Sequence, residues 1–207
     1  MLIFISGLSA ISFDFFEINS AYYLAKPLTT AIIILYPLYF YRFTLKPYAD
    51  KIIIGLCFCL IGDVFLLFDS FFIYGLGCFL IGHIFFLYAF VKEQGWHWPL
   101  IPGIILFVLG FSILFICYKN FGKYFSPVLI YILVILLMSW QAIALQMNHY
   151  KINFNFVGLA SVLFLISDSI IALNRFYIKF KYSGILILMF YWLSISLLSY
   201  STIKPKD

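Results

Sequence analysis

Eight apolar stretches, at about residues 1–16, 22–41, 50–69, 71–91, 98–118, 124–147, 153–174 and 182–203, are parted by short charged breaks. A helix needs about 20 mostly apolar residues to cross a bilayer. Backbone amides left unpaired in lipid are costly, so continuous apolar runs of this length become spanning helices. A closed β-barrel would alternate apolar and polar residues, which these runs do not. Composition agrees: 65% of residues are hydrophobic, 10% are charged and the mean hydropathy is +1.09. Soluble domains are about 45–50% apolar and about 25% charged. A soluble globule is excluded, and so is disorder, which needs low hydrophobicity and high net charge. The expected fold is all-α: a polytopic transmembrane bundle of about eight spans, with residues 1–207 forming one integral membrane domain. Short connections make neighbouring helices antiparallel. Met1-Leu2-Ile3-Phe4 lacks a basic leader, so the first run is read as a span, not a removable signal.

The breaks carry the expected punctuation. Asp14 and Glu17 close the first run, Asp69-Ser70 makes a tight turn, and Trp96 and Trp98 suit the membrane interface. Thirteen basic residues give a net charge of +5 but never cluster, a pattern that fits lipid head groups and not nucleic acid. Seven of them fall on one side and six on the other, so the positive-inside rule does not fix orientation. Cys57, Cys59, Cys78 and Cys117 form no Cys-x-x-Cys motif and read as inert buried thiols.

Charge inside the runs is the informative exception, because a carboxylate at a span centre costs about 2.5–3.5 kcal/mol on insertion scales. Asp63 and Asp168 are each flanked by apolar sequence, about six residues, or ~9 Å of helix, from the same membrane face. Lys26, read as one turn into the second span with Pro27 in its first turn, reaches a similar depth. Gly55, Cys59 and Asp63 form one small-residue stripe, and Gly158, Ser161, Asp168 and Ala172 another, so both aspartates should face the bundle interior. Leu60-Ile61-Gly62-Asp63 matches Leu165-Ile166-Ser167-Asp168 at three positions, four spans apart, as a parallel four-plus-four repeat would produce. A structural polar pair, Lys26 with one aspartate, is the alternative to a functional site. His83 stands alone at membrane depth, since His97 and His149 fall in breaks. A zinc hydrolase needs about three ligands, so no metal is expected, and His83 reads either as a hydrogen-bonding neighbour of the site or as packing. Asn174 and Arg175 end the seventh span, as interfacial anchors or head-group contacts. Tyr191 and Trp192 read as aromatic packing. No Walker loop, Gly-x-Ser-x-Gly or dinucleotide fingerprint occurs.

The order Lys26-Pro27-Leu28-Thr29, Gly62-Asp63-x-x-Leu66, Gly77-x-Phe79-x-x-Gly82-His83-x-x-Phe86 and Ser167-Asp168-x-x-x-Ala172-Leu173-Asn174-Arg175-Phe176 resembles the YhhN/TMEM86 family of membrane proteins. Gly82 stands where that family often has alanine. The resemblance implies a lysoplasmalogenase, a hydrolase that cleaves the vinyl ether of a lysoplasmalogen to a fatty aldehyde and glycerophospho-ethanolamine or -choline. Such a bond yields to acid, so the reaction needs one carboxylic acid that keeps its proton and a second group that steadies the cation and orients water. Two carboxylates in different surroundings can divide these roles. Asp168 is assigned the acid and Asp63 the partner, with the reverse nearly equal. The two are expected to face one another across a cleft, with no cofactor. The lyso-phospholipid's chain would lie among apolar side chains, and its head group near Lys26 or Arg175. The competing classes are a small-solute or lipid transporter, a non-enzymatic scaffold, and a hydrolase of another lyso-lipid bond. In a bacterial source the expected location is the plasma (inner) membrane.

Overall fold

A computed structural model describes residues 2–16, 18–148 and 154–204. Glu17, His149 and Met1, named above, lie outside the described residues, as do Lys151 and Lys206 among the basic residues counted above, and the Asp14 side chain is likewise not described. Eight helices follow the eight apolar runs: α1 (Leu2–Phe15), α2 (Asn19–Tyr39), α3 (Lys46–Phe65), α4 (Phe72–Gln94), α5 (Leu100–Cys117), α6 (Phe125–Asn148), α7 (Val157–Phe176) and α8 (Ser183–Tyr200). Six of them, all but α1 and α3, are long and apolar enough to cross a membrane. With 14 residues α1 rises only about 21 Å, short of the hydrocarbon thickness. Although 20 residues long, α3 carries Lys46, Asp50, Lys51 and Asp63.

Six helices form a ring in the order α2, α3, α4, α6, α7, α8 and back to α2. The other two lie outside it, α1 against α2 and α8, α5 against α6 and α7. Exchanging the first four helices for the last four reproduces the ring, since α2–α3–α4 becomes α6–α7–α8, and outer α1 becomes outer α5, but α5 packs on α6 and α7 where the exchange would seat it on α6 and α4. The ring alone has the four-plus-four order that the matched aspartate segments suggest; the seating of α5 departs from it.

Burial separates inner from outer helices. In α6, 61% of the spanning window is buried, against 22% in α5. Leu100, Ile101 and Phe115 of α5 are more than two-thirds exposed, as lipid-facing side chains should be. α3 and α4 approach one another closely. Gly55 faces Gly82 and Gly62 faces Gly75, two glycine pairs one heptad apart on antiparallel helices. A Cβ on Gly82 would lie 3.0 Å from the Gly55 carbonyl oxygen, and one on Gly62 would meet the Phe79 ring at 2.7 Å. Small residues are what let backbones pack this tightly where lipid gives no hydrophobic drive.

The connections sort onto two rims. At one, the chain's last turn returns to the α2–α3 break: Leu45 N–H donates to the Thr202 carbonyl and Lys204 N–H to the Phe43 carbonyl, closing a bridge between Thr44 and Ile203. On the same rim Gln141 holds the backbone of His97 by both its amide groups, and Trp140 Nε1 donates to the Pro99 carbonyl. The opposite rim gathers the α3–α4, α5–α6 and α7–α8 breaks around one polar recess. Asp63 and Asp168 both lie near that second rim.

One helix start departs from the sequence expectation. α2 begins at Asn19, and Tyr22 N–H already bonds the Ile18 carbonyl at 3.0 Å. Pro27 is therefore interior, not in the first turn, and its missing N–H leaves the Tyr23 carbonyl without its usual donor. Lys26 lies about two turns into the helix, ~10 Å, instead of one.

Candidate active site

The two aspartates occupy separate surroundings. Asp63, near the C-terminal end of α3, is 1% exposed. Lys26 Nζ of α2, itself buried, lies 3.6 Å from its Oδ1. Thr30 Oγ1 and Tyr191 OH donate to its Oδ2 at 2.6 and 2.7 Å. Trp192 Nε1 in turn donates to Thr30 Oγ1 at 3.3 Å. Lys26 and Thr30 are four residues apart, so one face of α2 presents both to the carboxylate. Tyr191 and Trp192 bring α8 to the same point. Burying two charges is costly unless the remaining polar atoms are also paired, and this cluster meets that demand.

Asp168, on α7, is partly accessible and lines a narrow apolar cavity of about 60 Å³ with Leu76, Phe79, Tyr131, Ile132 and Leu165. That volume admits a few waters. Tyr131 OH of α6 donates to Asp168 Oδ2 at 2.5 Å, and Tyr131 lies on the cavity wall. No cation pairs with Asp168 among the described residues. The two half-sites follow one register: Lys26 precedes Asp63 by 37 residues, and Tyr131 precedes Asp168 by 37. The position that supplies a cation in the first half supplies a phenol in the second.

Between the half-sites stands an aromatic wall. Phe79 lines the Asp168 cavity and sets its edge against Tyr191, with centroids 5.8 Å apart. Phe164 packs edge-on against both Phe79 and Tyr191. No hydrogen bond joins the two carboxylates among the described residues, and Asp63 does not line the cavity. His83 is fully buried beside this wall, its ring centre 4.5 Å from that of Phe164 and 5.3 Å from that of Tyr131, and among the described residues neither of its ring nitrogens has a hydrogen-bond partner. Among the described residues no three His, Cys, Asp or Glu side chains converge as a metal cage would need.

Asn174 and Arg175 lie at the rim. Arg175 donates to Asp69 Oδ1 at 2.9 Å and to the Asp69 carbonyl at 3.3 Å, with its guanidinium 3.9 Å from the centre of the Phe72 ring. The Asn174 side chain accepts from Phe180 N–H at 3.3 Å.

The model of the YhhN family matches residues 21–202, from α2 through the last helix. The chain belongs to the YhhN family. It is 29% identical to lysoplasmalogenase TMEM86A of Homo sapiens over 169 residues, 78% of this chain and 68% of the relative. The Bos taurus protein of the same name matches at 29% over 168 residues, with the same coverage of both chains. A Dictyostelium discoideum lysoplasmalogenase homolog is 36% identical over 78 residues, 38% of this chain and 24% of the relative. No solved structure matches. In this YhhN chain all six residues singled out from sequence are described. Lys26 and Asp63 come together, and Asp168 sits with His83 near its tyrosine partner. Asn174 and Arg175 are held at the rim. Thr30, Tyr131, Tyr191 and Trp192 are the polar groups that sequence reading missed, since hydroxyls and rings inside apolar runs look like packing. The shared 37-residue spacing was the available signal for Tyr131.

Proposed function

We propose that the protein hydrolyses the vinyl ether bond of lysoplasmalogens, with Asp168 as the acid. The observation that carries this reading is the placement of Asp168: a carboxyl on the wall of an otherwise apolar cavity, held by one phenol and paired with no cation. Its proton is transferred to the distal alkene carbon, leaving an oxocarbenium ion on the ether side. Water adds to the cation carbon and returns a proton to the carboxylate. The hemiacetal then breaks its bond to the glycerol oxygen, which takes a proton. The products are a fatty aldehyde and a glycerophospho-ethanolamine or -choline. Tyr131 fixes the carboxyl's orientation throughout. Asp63 contributes as a positioning residue: it anchors Tyr191, which backs Phe79 on the far side of the cavity wall. A hydrolase of this kind needs its acid within reach of a lipid chain, and family membership with relatives named lysoplasmalogenase supports the choice of bond.

The test is release of fatty aldehyde from a vinyl-ether lyso-phospholipid by purified protein, followed by mass spectrometry. Alkyl-ether and acyl analogues should survive intact. Release from the acyl analogue alone would replace this reading with an ester hydrolase. Flux of lipid or solute into liposomes with no product would replace it with a transporter.

A further inference from the structure

The cavity beside Asp168 has a polar neighbour at the rim. A recess of about 810 Å³ is walled by Asp69, Lys123, Asn174, Arg175, Phe176 and Lys179, drawn from three interhelical breaks. Phe176 is also a wall of the apolar cavity, so the two spaces share a side chain. Three cations face one carboxylate there, and that carboxylate is spoken for by Arg175. Neither Lys123 nor Lys179 has a carboxylate partner among the described residues, and both are exposed. Lys26, the other candidate cation, is buried and engaged by Asp63.

The geometry points to this recess as the binding site for the phosphodiester of a single-chain lipid, with Lys123 and Lys179 as its principal contacts. The inference rests on the reading of Asp168 as the acid. Spacing supports it. Seven residues of α7 separate Asp168 from Arg175, about 10 Å of helix rise. In a lysoplasmalogen seven bonds separate phosphorus from the alkene carbon that takes the proton, about 8–9 Å when extended at ordinary bond lengths. A phosphate held at the rim therefore sets the reacting carbon near the depth of Asp168, with the chain passing Phe176. Asp69, almost fully exposed in its pair with Arg175, can yield that guanidinium to a phosphate, which guanidinium groups grip in two-point fashion.

The experiment uses full-length protein in detergent carrying Lys123→Glu and Lys179→Glu, with Lys92→Glu, an exposed cation at the other end of α4, as control. For a vinyl-ether lyso-phospholipid, KM should rise roughly tenfold or more in the double variant, with kcat changed far less. For the 1-alkenyl glycerol without phosphate, KM should not move, and the control should match wild type on both substrates. An unchanged KM for the phospholipid overturns the assignment, as does an equal rise for the phosphate-free substrate. Should the protein cleave no vinyl ether, the same comparison is made as binding of an alkyl-ether lyso-phospholipid against the alkyl glycerol. A charge-dependent preference there upholds the recess while the catalytic reading falls. Binding of millimolar inorganic phosphate that depends on Lys123 and Lys179, with no charge-dependent preference for the lyso-phospholipid over the glycerol, would assign the recess to free phosphate and overturn the lipid assignment.

Discussion

Asp63 and Asp168 hold matching places in the two halves of the ring, yet their surroundings differ in kind. Asp63 is buried, with a lysine, a threonine and a tyrosine gathered on it. Asp168 has one tyrosine and lines an apolar cavity. A saturated carboxylate stabilises a junction of three helices, because each lost partner strands a charge in a place that water does not reach. An acid with room beside it can meet a substrate. Matching places need not mean matching surroundings: the lysine-for-tyrosine difference at one register position separates a carboxylate closed in by partners from one that lines a cavity.

The sharpest test of that contrast exchanges each aspartate for asparagine. Asp168→Asn should lower aldehyde release by 10²–10⁴-fold, the usual weight of a general acid, while the unfolding temperature in detergent stays near wild type. Asp63→Asn should do the reverse in emphasis, costing about 3–5 kcal/mol of stability by leaving Lys26 unpaired in the interior. Thermal unfolding measures it, and Lys26→Met with Asp63→Leu should regain most of the loss. If the two aspartates exchange these phenotypes, the roles drawn from their surroundings are reversed. The phenols give a smaller, finer comparison. Tyr131→Phe should cost about 1.5–3 kcal/mol in kcat/KM, as for loss of a hydrogen bond to a charged group, with little change in folding. Tyr191→Phe should appear mainly as reduced stability. Smallest of all, Asp69→Asn at the exposed rim should leave the unfolding temperature unchanged, since surface ion pairs contribute little.

Much of the fold was legible in the sequence because lipid imposes a simple rule. An apolar run of sufficient length must be helical, so the eight runs became eight helices with ends shifted by a few residues. Both helices that fall short, α1 in length and α3 in its load of charge, show that fault in the sequence itself. Pro27 misled because proline suits a first turn, and nothing in Ala21-Tyr22-Tyr23-Leu24 announces that the helix has already begun. At the site, charge was legible and its company was not. Asp63, Asp168 and Lys26 stand out as costly in lipid, whereas Tyr131, Tyr191 and Trp192 resemble the chain's other aromatic residues until three-dimensional packing turns their polar edges inward. Which aspartate Lys26 would choose was also beyond the sequence, because its apolar runs place both at a similar depth and the order of helices around the ring decides.

The nearness of both carboxylates to one rim has a consequence for supply. Both carboxylates lie within about two turns of the same rim, with the cationic recess above them and the tryptophan-rich rim far below. On the proposed assignment of Asp168, chemistry held so near one surface would be fed by a single leaflet, and lipid of the same kind in the opposite leaflet would first have to be flipped across.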